Sequence, residues 1–113
     1  MLVPAAILAG FAIVWLVFRP DPERARTIET YVLKGARIID VRDPGAYRQR
    51  HIQDAENIPT DHLPHGLTPD ERIIVYGQDE EESARAAQRL RDRGFAHVVD
   101  AGPMSHWPIP QPG

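Results

Sequence analysis

Hydrophobic residues form one long uninterrupted run at the start of the chain and shorter patterned runs after it. From Leu2 to Phe18 every residue is uncharged, and the run is apolar on all helical faces. A helix of this length spans about 25 Å, close to the roughly 30 Å of a bilayer core. The pattern predicts a transmembrane helix over residues 1–20. A buried core helix and a cleavable signal peptide are the alternatives.

The charges that flank this run predict its orientation. Arg19, Arg24 and Arg26 follow the run closely, whereas only Met1 and its amine precede it. Because positively charged flanks stay in the cytoplasm, we expect a single-pass protein of the cell membrane with a cytoplasmic C-terminal domain. Residues 21–26 are expected to be a short, stiff linker, since proline fixes φ.

Beyond the linker, short apolar runs alternate with segments of helical periodicity. This alternation predicts right-handed crossovers and a three-layer α/β/α sandwich with a central parallel sheet. The turn-rich stretch 53–70 has no predicted element, and the Pro-rich tail 108–113 is expected to be extended and mobile. The expected helices cover residues 27–34, 44–48 and 83–93, and the expected strands cover residues 38–41, 73–76 and 97–100.

The stretch at residues 72–85 predicts a strand, a tight loop that turns at Gly77 and a helix beginning near Ser83. Backbone N–H groups and the positive end of the helix dipole meet in such a loop and favour an anion. The loop residues here are Gln78, Asp79, Glu80, Glu81 and Glu82. Four consecutive carboxylates cannot all face one point, so a solvated acidic face is favoured over a metal site.

Composition narrows the chemistry further. The length of 113 residues and the hydrophobic content of 42% suit one compact domain. The sequence contains no cysteine, so the chain itself cannot carry out thiol chemistry. A formal net charge of −3 and scattered basic residues give no indication of nucleic-acid binding. His62 and His65 have a ligand-like spacing, but Pro64 between them disfavours zinc. No cofactor is indicated.

Three motifs in order resemble those of rhodanese-like domains. Residues 37–47, with Asp40 and Arg42, resemble a strand ending in Asp-Val-Arg. Residues 50–59 resemble the family's Gly-His-Ile-x-Gly-Ala-x-Asn-x-Pro. Residues 77–84 resemble its catalytic loop and Ser-Ala helix. The resemblance covers roughly residues 27–107, which we expect to be one rhodanese-like domain.

The resemblance also shows where this sequence departs from the family. Gly77 stands where the family has a nucleophilic cysteine that carries a persulfide. Arg50 and Asp54 replace two glycines, and Ala46 replaces a usual glutamate. No catalytic residue is therefore predicted.

Residues at other family positions are interpreted as structural. We expect Asp40 and Arg42 to pair and hold the loop, His51 to be structural, and the hydroxyl of Ser83 to cap the helix.

The sequence thus predicts a membrane-anchored, non-catalytic rhodanese-like domain. Its former active-site face, now acidic, is expected to bind a protein partner as an interaction or regulatory module. The alternative is a sulfurtransferase or sulfur-relay component whose reactive thiol comes from a partner.

Overall fold

The computed structural model describes residues 21–112. The predicted transmembrane helix at residues 1–20 lies outside this part of the chain, as does Gly113. Within residues 21–112, no helix is both long enough and apolar enough to cross a membrane.

Helices and strands alternate through the described chain. The helices are α1 Pro22–Leu33, α2 Pro44–Gln49 and α3 Glu80–Asp92. The strands are β1 Arg37–Asp40, β2 Glu56–Asn57, β3 Arg72–Gly77 and β4 His97–Pro103. Two 3₁₀ turns cover Thr60–His62 and Met104–His106.

The four strands form one parallel sheet in the order β2-β1-β3-β4. Successive side chains of β3 point to opposite faces, so Ile73 and Val75 enter one core while Ile74 and Tyr76 enter the other. Helix α3 covers the first core, and α1 with α2 covers the second. This confirms the expected α/β fold with a central parallel sheet.

The prediction of a linker at residues 21–26 is wrong, because α1 already begins at Pro22. The Asp21 side chain caps the helix by accepting a hydrogen bond from the Glu23 backbone N–H at 2.9 Å. Pro22 occupies the first turn, where its missing N–H costs little. Thr27 is therefore inside the helix, and its hydroxyl donates to the Glu23 carbonyl.

The turn-rich stretch 53–70 also contains more structure than predicted. Glu56 and Asn57 form a short edge strand beside β1. The Asn57 amide donates to the carbonyl oxygens of Asp40 and Arg42, each at 3.0 Å. Side-chain bonding of this kind holds a two-residue strand that has no hydrophobic periodicity of its own.

The proline-rich tail lies against the domain as far as it is described. The Gln53 backbone N–H donates to Gln111 Oε1 at 2.6 Å, and Ile109 is half-buried. This contact places the tail beside the segment that follows His51.

Candidate functional site

The end of β3 and the start of α3 form the centre of the site. Gly77 is the last residue of β3, and α3 begins at Glu80 rather than near Ser83. Asp79 caps the helix, with its Oδ1 accepting a hydrogen bond from the Glu82 N–H at 2.8 Å. Three glutamates then fall in the first helical turn, where the helix dipole favours negative charge.

Glu82 fills the space beside Gly77. Its Oε1 accepts a hydrogen bond from the Gln78 backbone N–H at 2.8 Å. A Cβ atom added to Gly77 would lie 3.0 Å from that oxygen and 3.1 Å from the Ser83 backbone nitrogen. A carboxylate of the chain itself therefore lies next to the position at which a cysteine side chain would begin.

The other acidic side chains of residues 79–82 point elsewhere and have partners. Glu80 accepts from Arg24 of α1 at 2.8 Å, and this hydrogen bond raises the pKa of Arg24. Glu81 pairs with Arg85 one turn along the helix, also at 2.8 Å. The four carboxylates thus stabilise the helix start and its packing against α1.

Ser83 is buried and does not cap α3, contrary to the prediction. It faces the sheet with no exposed surface, and its hydroxyl donates to the Asp100 carboxylate. The same oxygen accepts from the Gly102 N–H at 3.1 Å. Ser83 therefore ties α3 to the end of β4. The next residue, Ala84, is exposed.

Asp40 and Arg42 form a buried ion pair at the carboxyl end of β1. Arg42 Nη2 lies 2.7 Å from Asp40 Oδ2, and its Nε donates to Asp40 Oδ1 at 3.0 Å. The side chains are 6% and 0% exposed, respectively. Hydrogen bonding to Asp40 raises the pKa of Arg42, so the guanidinium remains charged.

Tyr76 completes this network and was not singled out from the sequence. Its hydroxyl donates to Asp40 Oδ2 at 2.7 Å and accepts from the Ile52 N–H at 3.0 Å. Burial raises the pKa of Tyr76 and keeps the hydroxyl protonated. The sequence signal for this role was a tyrosine near the end of an otherwise aliphatic buried strand. A buried phenol needs a hydrogen-bond partner, so the tyrosine indicated a buried polar group nearby.

His51 lies at the surface beside this network. Its ring stacks on Tyr47 with centroids 3.9 Å apart, and its Nδ1 lies 2.8 Å from the Tyr47 carbonyl oxygen. Because a carbonyl only accepts, Nδ1 carries the proton in this contact. The ring is exposed, and His51 lines the neighbouring cleft.

A cleft of about 760 Å³ opens between the end of β1, the start of α3 and the tail. Arg42, Arg50 and His51 line one part of it, and Met104, Trp107 and Ile109 line another. Gln78 lines the cleft as well, but no aspartate or glutamate of the described residues 21–112 does. The cleft is basic and apolar, while the acidic residues lie at the neighbouring helix start.

No metal centre is evident at this site. Within residues 21–112, no three histidine, aspartate or glutamate side chains are grouped closely enough to hold a metal ion.

Fold and site together define an α/β domain whose centre is a strand-loop-helix cradle at the carboxyl end of a parallel sheet. The family model of the rhodanese-like domain matches residues 25–102. The chain belongs to that family.

Relatives and solved structures agree with this assignment. Thiosulfate sulfurtransferase PspE of Escherichia coli (strain K12) is 33% identical over 78 residues, covering 65% of this chain and 75% of that protein. The Bacillus subtilis (strain 168) protein YqhL is 34% identical over 76 residues, covering 64% of this chain and only 60% of the relative.

Among solved structures, the rhodanese-like domain of the Alr3790 protein from Anabaena sp. superposes with a TM-score of 0.64 at 31% identity. That match covers 74% of this chain and 69% of the other. A rhodanese with anions from E. coli gives a TM-score of 0.60 at 30% identity, covering 68% and 94% of the two chains.

Proposed function

We propose that this chain is a non-catalytic rhodanese-like domain that acts as a protein-interaction or regulatory module. We further propose that residues 1–20 anchor it in the cell membrane, with the domain in the cytoplasm. The observation that carries the first proposal is the position of the Glu82 carboxylate beside Gly77. The position of the family's nucleophile has no side chain, and a carboxylate fills the space in front of it.

Sulfur transfer through a persulfide needs a thiolate, stabilised by backbone N–H groups and a helix N-terminus. The 113 residues contain no cysteine. The Gln78 N–H, which faces the cradle, already donates to Glu82. Ser83 is a poor substitute nucleophile, since it has no exposed surface from which its hydroxyl could attack a substrate.

The cleft beside the cradle supports a binding role. It is about 760 Å³ in volume, within the range of sites that hold small molecules or short peptide segments. Trp107, Met104 and two arginines line it, and these residue types are enriched in protein interfaces. Loss of the nucleophile therefore leaves a formed binding surface in place.

A second candidate is a sulfur-relay component whose thiol comes from a partner protein. The 33% identity to a thiosulfate sulfurtransferase favours it, because a related scaffold performs sulfur transfer in that protein. Such a partner would have to place its cysteine beside Gly77, where Glu82 would have to move away.

Two measurements test the proposal. The purified protein is expected to form no thiocyanate from thiosulfate and cyanide above the buffer rate. Turnover that follows the protein through purification and survives an alkylating agent would overturn the non-catalytic assignment.

A photo-crosslinking residue at position 78 should capture a partner in native membranes. The same residue at position 72, which is exposed at the opposite end of β3, should not. Equal capture at both positions would place the binding surface elsewhere. A persulfidated partner cysteine captured at position 78 would favour the relay.

A further inference from the structure

We propose that the cleft binds an extended peptide segment of a partner protein through an aspartate or glutamate side chain of that segment. This inference rests on the proposed interaction function and names the chemistry of the partner. It differs from the expectation of an acidic binding face, because the carboxylates lie outside the cleft.

Charge is the first argument. Arg50 is exposed in the cleft and forms no ion pair within residues 21–112. Arg42 is neutralised by Asp40 but lines the same cleft, and its Nη1 has no hydrogen-bond partner in the described chain. Arg50 thus supplies net positive charge to the cleft, and Arg42 supplies a hydrogen-bond donor at Nη1. In the part of the chain that the structure describes, no acidic side chain lines the cleft to compete with an incoming carboxylate.

Arg42 is also held in place before any ligand arrives. Its guanidinium is fixed by Asp40 and by the Arg50 carbonyl oxygen, to which Nη2 donates at 2.5 Å. The residue is 5% exposed. A donor that is already ordered loses little side-chain entropy on binding, so its hydrogen bond contributes more fully to affinity.

The lining favours a peptide over a small inorganic anion. Met104, Trp107 and Ile109 form an apolar wall that such an anion would leave uncovered. The side-chain amides of Gln53 and Gln78 line the cleft and make no hydrogen bond within residues 21–112. A glutamine amide both donates and accepts, and it can therefore pair with the N–H and C=O groups of an extended backbone.

Fluorescence polarisation with three labelled, amidated hexapeptide pools tests the inference. One central position is fixed as Glu, Gln or Lys, and the remaining positions are random. The full chain in detergent should bind the Glu pool about tenfold more tightly than the Gln pool, as a charge-assisted contact predicts. Arg50→Gln should remove that preference. Arg48→Gln should keep it, because Arg48 is also exposed but lies outside the cleft.

Other binding results would overturn this inference but would leave the non-catalytic assignment unaffected, because the thiocyanate assay tests that assignment separately. Equal binding of the Glu and Gln pools, a preference for Lys, or no binding of any pool would each do so. Displacement of the Glu pool by millimolar sulfate as readily as by unlabelled peptide would identify a small-anion site instead. Dimerisation that Arg50→Gln abolishes would identify a second copy as the occupant.

Discussion

Glu82 and Gly77 decide the chemistry of the cradle at the scale of single residues. A helix N-terminus with free N–H groups favours an anion, and here Glu82 supplies it from within the chain. The oxygen lies 3.0 Å from the position of a Cβ at residue 77, so any side chain added there meets a negative charge first.

We predict that Gly77→Cys alone does not restore sulfur transfer. A carboxylate ~4–5 Å from the sulfur opposes the thiolate by about 1–2 kcal/mol at an effective dielectric of about 40–80. This corresponds to about one pKa unit, so the thiol pKa should lie above its ordinary value of ~8.5. The pH dependence of alkylation measures that pKa, and thiocyanate formation measures activity.

The matched comparison is Gly77→Cys/Glu82→Ser against Gly77→Cys/Glu81→Ser. Both remove one negative charge, but Glu81 is 80% exposed and points to Arg85. Only the Glu82 change should lower the thiol pKa, by about one unit. If the single Gly77→Cys variant alkylates and turns over as readily as either double variant, the carboxylate is not the obstacle.

Sequence reasoning found some of these residues and missed others for a physical reason. The resemblance of the loop to the family's loop placed Gly77 correctly at the end of a strand. The pattern around Asp40 placed Asp40 near the end of a neighbouring strand. Tyr76 was missed and Ser83 was assigned the wrong role, because their hydroxyls bond to groups 36 and 17 positions away. Such contacts are fixed by the sheet register, which a local pattern does not encode.

Asp54 replaces a glycine of the family pattern, and its backbone conformation explains why the fold accepts it. The family pattern has a glycine at this position, and Asp54 adopts a φ of 68°. Aspartate is among the few other residues that enter this left-handed region at modest cost. The fold therefore keeps the turn without the glycine.

At the scale of elements, α1 and α3 both begin earlier than predicted. In each case an aspartate caps the helix, and the first turn contains one glutamate in α1 and three in α3. Asp79 followed by Glu82 at the third helical position is a known helix-start signal, but the charged run was interpreted as loop. The strand β2 carries no comparable signal, because its two residues are held by contacts from β1.

The N-terminal end of α1 is joined to the start of α3 over Gly102. Arg24 and Glu80 meet there, and a Cβ on Gly102 would lie 2.5 Å from Arg24 Nη1 and 2.9 Å from Glu80 Oε1. Gly102 also has a φ of +75°, which favours glycine. The contact between the two helices therefore depends on the absence of a side chain at this position.

We predict that Gly102→Ala lowers the free energy of unfolding more than Gly94→Ala does. Gly94 also has a positive φ, +87°, but open space surrounds its Cβ position. Both variants carry the left-handed backbone cost of roughly 1–2 kcal/mol. Gly102→Ala should add up to about 1 kcal/mol, because the partly exposed Arg24 and Glu80 side chains must swing aside and lose their ion pair. Urea unfolding measures the difference.

Hydrogen exchange then shows which element is affected. Amides in the first turns of α1 should exchange faster in Gly102→Ala and remain unchanged in Gly94→Ala. Equal losses of stability in the two variants would mean that the helix contact contributes little, as for many exposed ion pairs.

At the scale of the whole molecule, charges of opposite sign lie side by side. The net charge of −3 and the four consecutive carboxylates favoured a uniformly acidic face. The fold instead pairs the carboxylates at the helix start and turns Arg42 and Arg50 into the cleft. Composition predicts total charge, but only the chain topology decides which surface carries it.

Within residues 21–112, the members of the two cores extend from α1 to the end of the sheet. Ile28 is the first described residue buried in either core, and the buried residues continue to Ala101. Partly buried Trp107 closes the second core. Both cores thus have a continuous set of members within residues 21–112.

We therefore predict that a chain beginning at Asp21 is soluble and folded, whereas the full chain sediments with membranes. Far-UV circular dichroism and detergent-free fractionation measure the two properties. Phe11→Arg in the full chain should shift protein to the soluble fraction, since a charge at the centre of a span costs roughly 2.5–3.5 kcal/mol on insertion scales. Protease added outside intact cells should spare the domain. An unfolded truncated chain would show that residues 1–20 pack in the core, and digestion from outside would reverse the orientation.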